Sequence, residues 1–162
     1  MPRTIVIFTL LLAFAMISSA PAEEKTIRKK DAPAAVLSAF KTAYPKATIG
    51  KVAQETEDSV LYYEISCKDG KVARDVTYTA DGNVISVETT IAESELPLYV
   101  RATIVAAYPI HKIWKVETIL EGGVTSYEVL LQSEKRYYEV ALSAEGKITE
   151  TEDKGEKLDD DD

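Results

Sequence analysis

Histidine, cysteine and tryptophan each occur once in the 162 residues, as His111, Cys67 and Trp114. A single imidazole cannot build a histidine zinc site, and it leaves little material for a Ser-His catalytic pair. A single thiol cannot close an internal disulfide, so stability must come from a packed core. Positive charge is scarce as well: 19 Lys and Arg stand against 27 Asp and Glu, a net charge of −8. Nucleic-acid binding needs clustered cations and is not expected. The one small cluster, Lys25, Arg28, Lys29 and Lys30, lies near the N-terminus and is expected as a solvated, flexible leader.

Long apolar runs are missing except from Ile5 to Ile17, which is interrupted by Thr9 and preceded by Arg3. That run is too short to span a membrane and has the proportions of a secretory signal. Ala20-Pro21-Ala22 supplies the small residues of a cleavage site, with cleavage expected after Ala22. Removal of residues 1–22 takes away one positive charge, so −8 becomes −9. The expected compartment is the periplasm or the extracellular space, with no membrane span in the mature chain. No cysteine follows the run to carry a lipid.

What the chain does have is 46% hydrophobic residues, nine tyrosines and an internal repeat. Sliding the sequence by 64 positions aligns Pro33 with Pro97, Ala43-Tyr44-Pro45 with Ala107-Tyr108-Pro109, Lys51-Val52 with Lys115-Val116, Tyr63-Glu64 with Tyr127-Glu128, and Gly82 with Gly146. Between 33–89 and 97–153, 17 of 57 positions are identical without a gap. That is the mark of a duplicated unit. Each unit opens with a helical period: Val36, Phe40 and Tyr44, then Val100, Ile104 and Tyr108. Pro45 and Pro109 end those helices.

Beyond the helix the period falls to two. Strands are expected at 48–57, 60–67, 72–79 and 83–89, and at 112–121, 124–132, 136–143 and 147–152. Asp69-Gly70, Asp81-Gly82, Gly122-Gly123 and Glu145-Gly146 supply tight turns, which connect antiparallel neighbours. The fold class is therefore α+β: two tandem α-β-β-β-β modules, their sheets able to join into one of eight strands, with both helices on one face. The expected organisation is a signal peptide at 1–22, a basic leader at 23–32, a first module at 33–91, a second at 92–153 and a disordered acidic tail at 154–162. Alternation places Tyr63, Ile65, Cys67, Val76 and Tyr78 in the core and Tyr62, Glu64, Ser66, Asp75 and Thr77 on the uncovered face. Ile49 and Val52 are three apart and require a bulge or bend in the first strand.

The helix ending in Ala-Tyr-Pro, the Lys-Val strand, Tyr-Glu-Ile or Tyr-Glu-Val, and the Ala-Asp-Gly or Ala-Glu-Gly turn resemble the PepSY-like proteins. These are similar in architecture to the β-lactamase-inhibitor-protein fold. The resemblance covers about 33–153 and implies a secreted or periplasmic protein that binds or inhibits and does not catalyse. Tyr44-Pro45-Lys46-Ala47 and Tyr108-Pro109-Ile110-His111 depart from that family's Tyr-Pro-Gly-Ala turn.

Candidate chemistry is sparse. His111 aligns with Ala47, which reads as a loop histidine more readily than as a ligand. Cys67 aligns with Leu131 and reads as a small buried hydrophobe, the alternative being an intermolecular disulfide. No catalytic residue, cofactor site or metal site is expected, and the chain is expected to be a monomer. The expected function is recognition of a protein or peptide of the cell envelope by the open sheet face, with inhibition of a secreted hydrolase and cation binding as alternatives. Interface energy concentrates in aromatic anchors, so the candidate residues are Trp114, Tyr62 and Tyr137, with Glu64 and Glu128 as an acidic pair that a continuous sheet could bring close. Trp114 stands where the first module has Gly50; it reads equally as an anchor or as a cap on the junction between modules.

Overall fold

The structure, a computed structural model, describes residues 25–57 and 59–156. The expected signal segment and the last six residues lie outside them. A single antiparallel sheet carries nine strands in chain order. They are β1 (Lys25–Thr26), β2 (Thr48–Glu57), β3 (Val60–Asp69), β4 (Val72–Thr79), β5 (Val84–Thr90), β6 (Lys112–Glu121), β7 (Val124–Ser133), β8 (Arg136–Leu142) and β9 (Ile148–Gly155). Two helices, α1 (Ala34–Ala43) and α2 (Leu98–Ala107), precede β2 and β6.

The repeat is reproduced in detail. Val36 and Phe40 are the buried residues of α1, and Val100 and Ile104 those of α2. The Tyr44 amide closes α1 on the Phe40 carbonyl at 2.8 Å, and Tyr108 does the same to Ile104 at 2.8 Å. The expected irregularity in the first strand is a bulge between Ile49 and Lys51, matched by one between Ile113 and Lys115. Each helix covers its own core. Val36, Phe40, Val52, Ile65, Val76 and Tyr78 form one; Val100, Ile104, Val116, Val129, Val140 and Leu142 form the other. The Tyr78 hydroxyl finds no hydrogen-bond partner among the described residues, and burial, with Tyr44 and Cys67 adding, pushes its pKa up to about 12.

The two modules share the sheet through β5 and β6, where Ser86–Thr90 pair with Glu121–Glu117. Two expectations need correction. Among the described residues the strand count is nine and not eight, because part of the presumed leader is strand: Lys25 and Thr26 pair with Gln54 and Ala53, and the Ile27 amide reaches the Val52 carbonyl at 2.8 Å. At the other end, Lys154 and Gly155, placed in the tail, belong to β9. In both cases backbone pairing with a neighbouring strand outweighs the polar composition.

The β4–β5 turn shows how close helix and sheet come. Gly82 has φ +81°, and a Cβ there would lie 2.7 Å from the Ala35 carbonyl oxygen of α1. Its twin Gly146 would meet the Tyr99 ring at 2.6 Å, a half-exposed side chain that can turn aside only by giving up the hydrogen bond its hydroxyl donates to the Ala144 carbonyl at 2.9 Å. Both conformations strain an L-residue. Gly82→Ala is therefore expected to cost roughly 2–3 kcal/mol and Gly146→Ala about 1–2 kcal/mol. Urea unfolding midpoints of the two variants check the order, and equal costs would contradict it.

Candidate functional site

Both helices pack on one side of the sheet, and alternation sends the other half of the strand residues to the opposite, uncovered side. The cross-strand ladders give that face its order. Glu64 sits opposite Ala53 and Thr77, and Thr77 opposite Ser86. One step along the strands, Asp75 is opposite Glu88, which is opposite Ile119. Next come Thr90, Glu117, Glu128, Ala141 and Glu150, and then Lys115, Leu130, Glu139 and Glu152. Carboxylates thus run diagonally across the face, from Glu64 on β3 to Glu150 and Glu152 on β9.

The middle of this diagonal is the least hydrated part. Glu117 is 3% exposed; its Oε1 accepts a hydrogen bond from the Thr90 hydroxyl at 3.0 Å, and its Oε2 lies 3.1 Å from Lys115 Nζ. Burial opposes the charge of Lys115, but the charge and hydrogen bond of Glu117, with Asp75 and Glu128, raise its pKa on balance. Glu88 on the other side of Glu117 is raised to about 7, chiefly by burial and then by Glu117, Glu128, Glu64 and Asp75. Glu128 is also raised to about 7, by burial and then by Glu139 and Glu117, with Lys115 and Lys154 partly relieving it. Lys154 spans Glu139 and Glu152 at 3.4 and 3.3 Å.

Trp114 and Tyr137 come together at the β6–β8 end of the face. Their ring centroids are 5.7 Å apart in an edge-to-face contact, and Lys112 Nζ lies 3.8 Å from the indole centroid. The indole remains 48% exposed. Its ring contacts are thus within the second module, away from the β5–β6 junction. Tyr62 shares the face but lies toward the other end, in a hollow of about 350 Å³ with Glu55, Glu64, Glu88 and Glu121. Glu128 lines a separate hollow of about 160 Å³ with Glu139, Glu150 and Glu152. The expected Glu64–Glu128 pair does not form. These residues are on β3 and β7, four strands and on the order of 19 Å apart, and Glu88 and Glu117 stand between them. Those two are the residues sequence reasoning missed, although their alternation along β5 and β6 carries the signal.

Cys67 is buried, and burial, partly offset by Arg74, raises its thiol pKa. His111 hydrogen-bonds through Nδ1 to the Tyr108 carbonyl in the α2–β6 loop. Among the described residues, no three of His, Cys, Asp and Glu are arranged to hold a metal ion, and no helix is long and apolar enough to cross a membrane.

Fold and face together define a tandem α+β protein with one helix-covered and one open sheet surface. The model of the family described as "Putative beta-lactamase-inhibitor-like, PepSY-like" matches residues 20–62 and 61–150, and the chain belongs to that family. Solved structures share the fold. A DUF2874 family protein from Bacteroides ovatus is 20% identical with TM-score 0.63, covering 80% of this chain and 92% of its own. A BLIP-like protein from Bacteroides fragilis is 22% identical with TM-score 0.59, covering 80% and 90%. One of the "putative periplasmic proteins", from Bacteroides eggerthii, is 18% identical with TM-score 0.63, covering 75% and 88%. No curated protein matches the chain.

Proposed function

We propose that this is an exported, non-catalytic binding module that recognises a protein or peptide through its open sheet face. The observation that carries the proposal is the character of that face: a broad uncovered surface on which the half-exposed Trp114, in ring contact with the partly buried Tyr137, flanks a diagonal of carboxylates. Aromatic anchors supply interface energy, and partly dehydrated carboxylates discriminate for lysine and arginine on the partner. Export is supported by the N-terminal signal pattern, and the binding role by the family description. Inhibition of a secreted hydrolase is the form of this function that the family description favours.

Residues 23–162, immobilised, are expected to retain a specific polypeptide from an envelope extract. Trp114→Ala and Tyr137→Ala should each weaken retention about tenfold or more. Val105→Ala, on the exposed side of α2, should leave it unchanged. Loss with Val105→Ala and retention with both aromatic variants would place the interface on the helix side and end this proposal. Assay of the retained protein for hydrolase activity, with and without the module, separates inhibition from simple binding.

A further inference from the structure

The second module is a template for what the first lacks. Position 50 is glycine where the second module has Trp114, and position 73 is alanine where it has Tyr137. The two places are equivalent in register: Gly50 lies in the β2 bulge, and Ala73 sits opposite Lys68 as Tyr137 sits opposite Gln132. In the second module the two rings touch. In the first, the same place is a hollow of about 670 Å³ whose walls include Gly50, Ala73, Lys46, Lys68 and Arg74.

The backbone does not demand glycine at position 50. Its φ is outside the left-handed region, and an added Cβ would meet nothing nearer than the Ser66 carbonyl oxygen at 3.7 Å. A side chain fits there, as Trp114 demonstrates in the twin. The missing rings coincide with a second difference. Lys46, Lys68 and Arg74 replace Ile110, Gln132 and Tyr138 of the second module. With Asp75 also lining the hollow, its walls carry three positive charges against one negative, within a chain of net charge −8. Arg74 is held in place by Asp69 at 3.3 Å and lies 5.5 Å from the Tyr44 ring centroid.

The geometry points to a docking site for an aromatic residue of a partner polypeptide flanked by a carboxylate. The ring takes the space that Trp114 and Tyr137 fill in the second module, and the carboxylate faces Lys46 and Lys68. The inference rests on recognition through the open face, since Ala73, Lys68 and Asp75 project to that side, and it names one anchor of the partner.

Titration of the isotopically labelled chain, residues 23–162, with acetyl-Asp-Trp-Asp-amide tests it by amide chemical shifts. Saturable shifts are expected at Gly50, Gly70 and Ala73. Acetyl-Asp-Ala-Asp-amide and acetyl-Lys-Trp-Lys-amide should bind at least tenfold more weakly. Filling the hollow with Gly50→Trp and Ala73→Tyr together should abolish the shifts, and Lys68→Glu, which leaves the hollow open, should weaken binding at least fivefold. Should the double variant fail to fold, Lys68→Glu and the two control peptides decide. Shifts that persist in the filled variant, that map to Trp114 and Tyr137, or that do not saturate would overturn the site. In that event, loss of envelope retention by Trp114→Ala would leave the open-face reading standing; saturation here with retention by both aromatic variants would sink only that broader interface.

Discussion

Raising the pH from 5 to 8 is expected to lower the melting temperature, against the common pattern in which paired carboxylates favour neutral pH. The cause is the carboxylate diagonal. Glu88 and Glu128 have folded pKa values raised to about 7 from an ordinary 4.5. Between those limits the folded chain holds more protons than the unfolded one, so stability falls as pH rises. The stability these groups contribute is complete below about 4.5 and lost as pH passes through about 7. Each pKa unit corresponds to about 1.4 kcal/mol. Both groups are half buried and share Glu117 as a neighbour, so solvent screening and coupling reduce the joint effect to about 2 kcal/mol. That is a fall of roughly 4–10 °C for a chain of this length. The pKa values of Asp153 and Glu145 are lowered, by hydrogen bonds from Arg136 and Ser143 respectively; both groups are exposed and act at the acid end, outside this window.

Glu88→Gln and Glu128→Gln should each flatten the profile and raise the melting temperature at pH 8. A melting temperature constant or rising from pH 5 to 8, followed by circular dichroism, would mean that the face is hydrated well enough to ionise at no cost. The same ionisation bears on binding. Above pH 7 the face gains two negative charges at its driest point, so a lysine- or arginine-bearing partner should bind more tightly at pH 8 than at pH 6, at the expense of fold stability.

Glu88 and Glu117 escaped the sequence comparison for a physical reason. Alternation on β3 and β4 was enough to place Ile65, Cys67, Val76 and Tyr78 inside and Tyr62, Glu64 and Asp75 outside, because those strands lie within one module and their twins agree. Glu117 has Ala53 as its twin, so the repeat gave no reason to single it out. Its neighbours Thr90 and Glu88 come from the other module across the β5–β6 ladder, a pairing that neither copy contains alone. Leu130 alternates onto the open face with Glu128, yet it is only 6% exposed, between Lys115 and Glu139. Strand β1 is too short for any period. The repeat nonetheless implies it: shifted by 64, Lys25 and Thr26 fall on Thr89 and Thr90 at the end of β5, and Ile27 repeats the bond from the Ile91 amide to the Val116 carbonyl, 2.9 Å. Whether Trp114 met Tyr137 or the junction was a matter of distance across strands, which sequence spacing does not contain.

Ile65→Ala is expected to cost about 2–4 kcal/mol and Ile65→Val about 1 kcal/mol. Ile65 is 0% exposed, opposite Val52 and Val76 on the covered face. Truncation to alanine leaves a cavity that flanking strands cannot close, because their spacing is fixed by the ladder hydrogen bonds. Valine is what the second module carries there, at Val129 between Val116 and Val140, so the site tolerates its shape. The larger consequence concerns cooperativity. Trp114 belongs to the second module and is the one indole in the chain, so its fluorescence follows that module while far-ultraviolet circular dichroism follows the whole sheet. The modules have separate cores but share the five-residue β5–β6 ladder. Unfolding the first module would strip β6 of its neighbour and expose the edge of the second. Ile65→Ala should therefore lower the urea midpoint of the Trp114 transition together with the dichroism transition, and by the same amount. A Trp114 transition that stays at its wild-type midpoint while half the dichroism signal is lost earlier would show two independently stable modules, and would remove the continuous sheet as the source of a single open face.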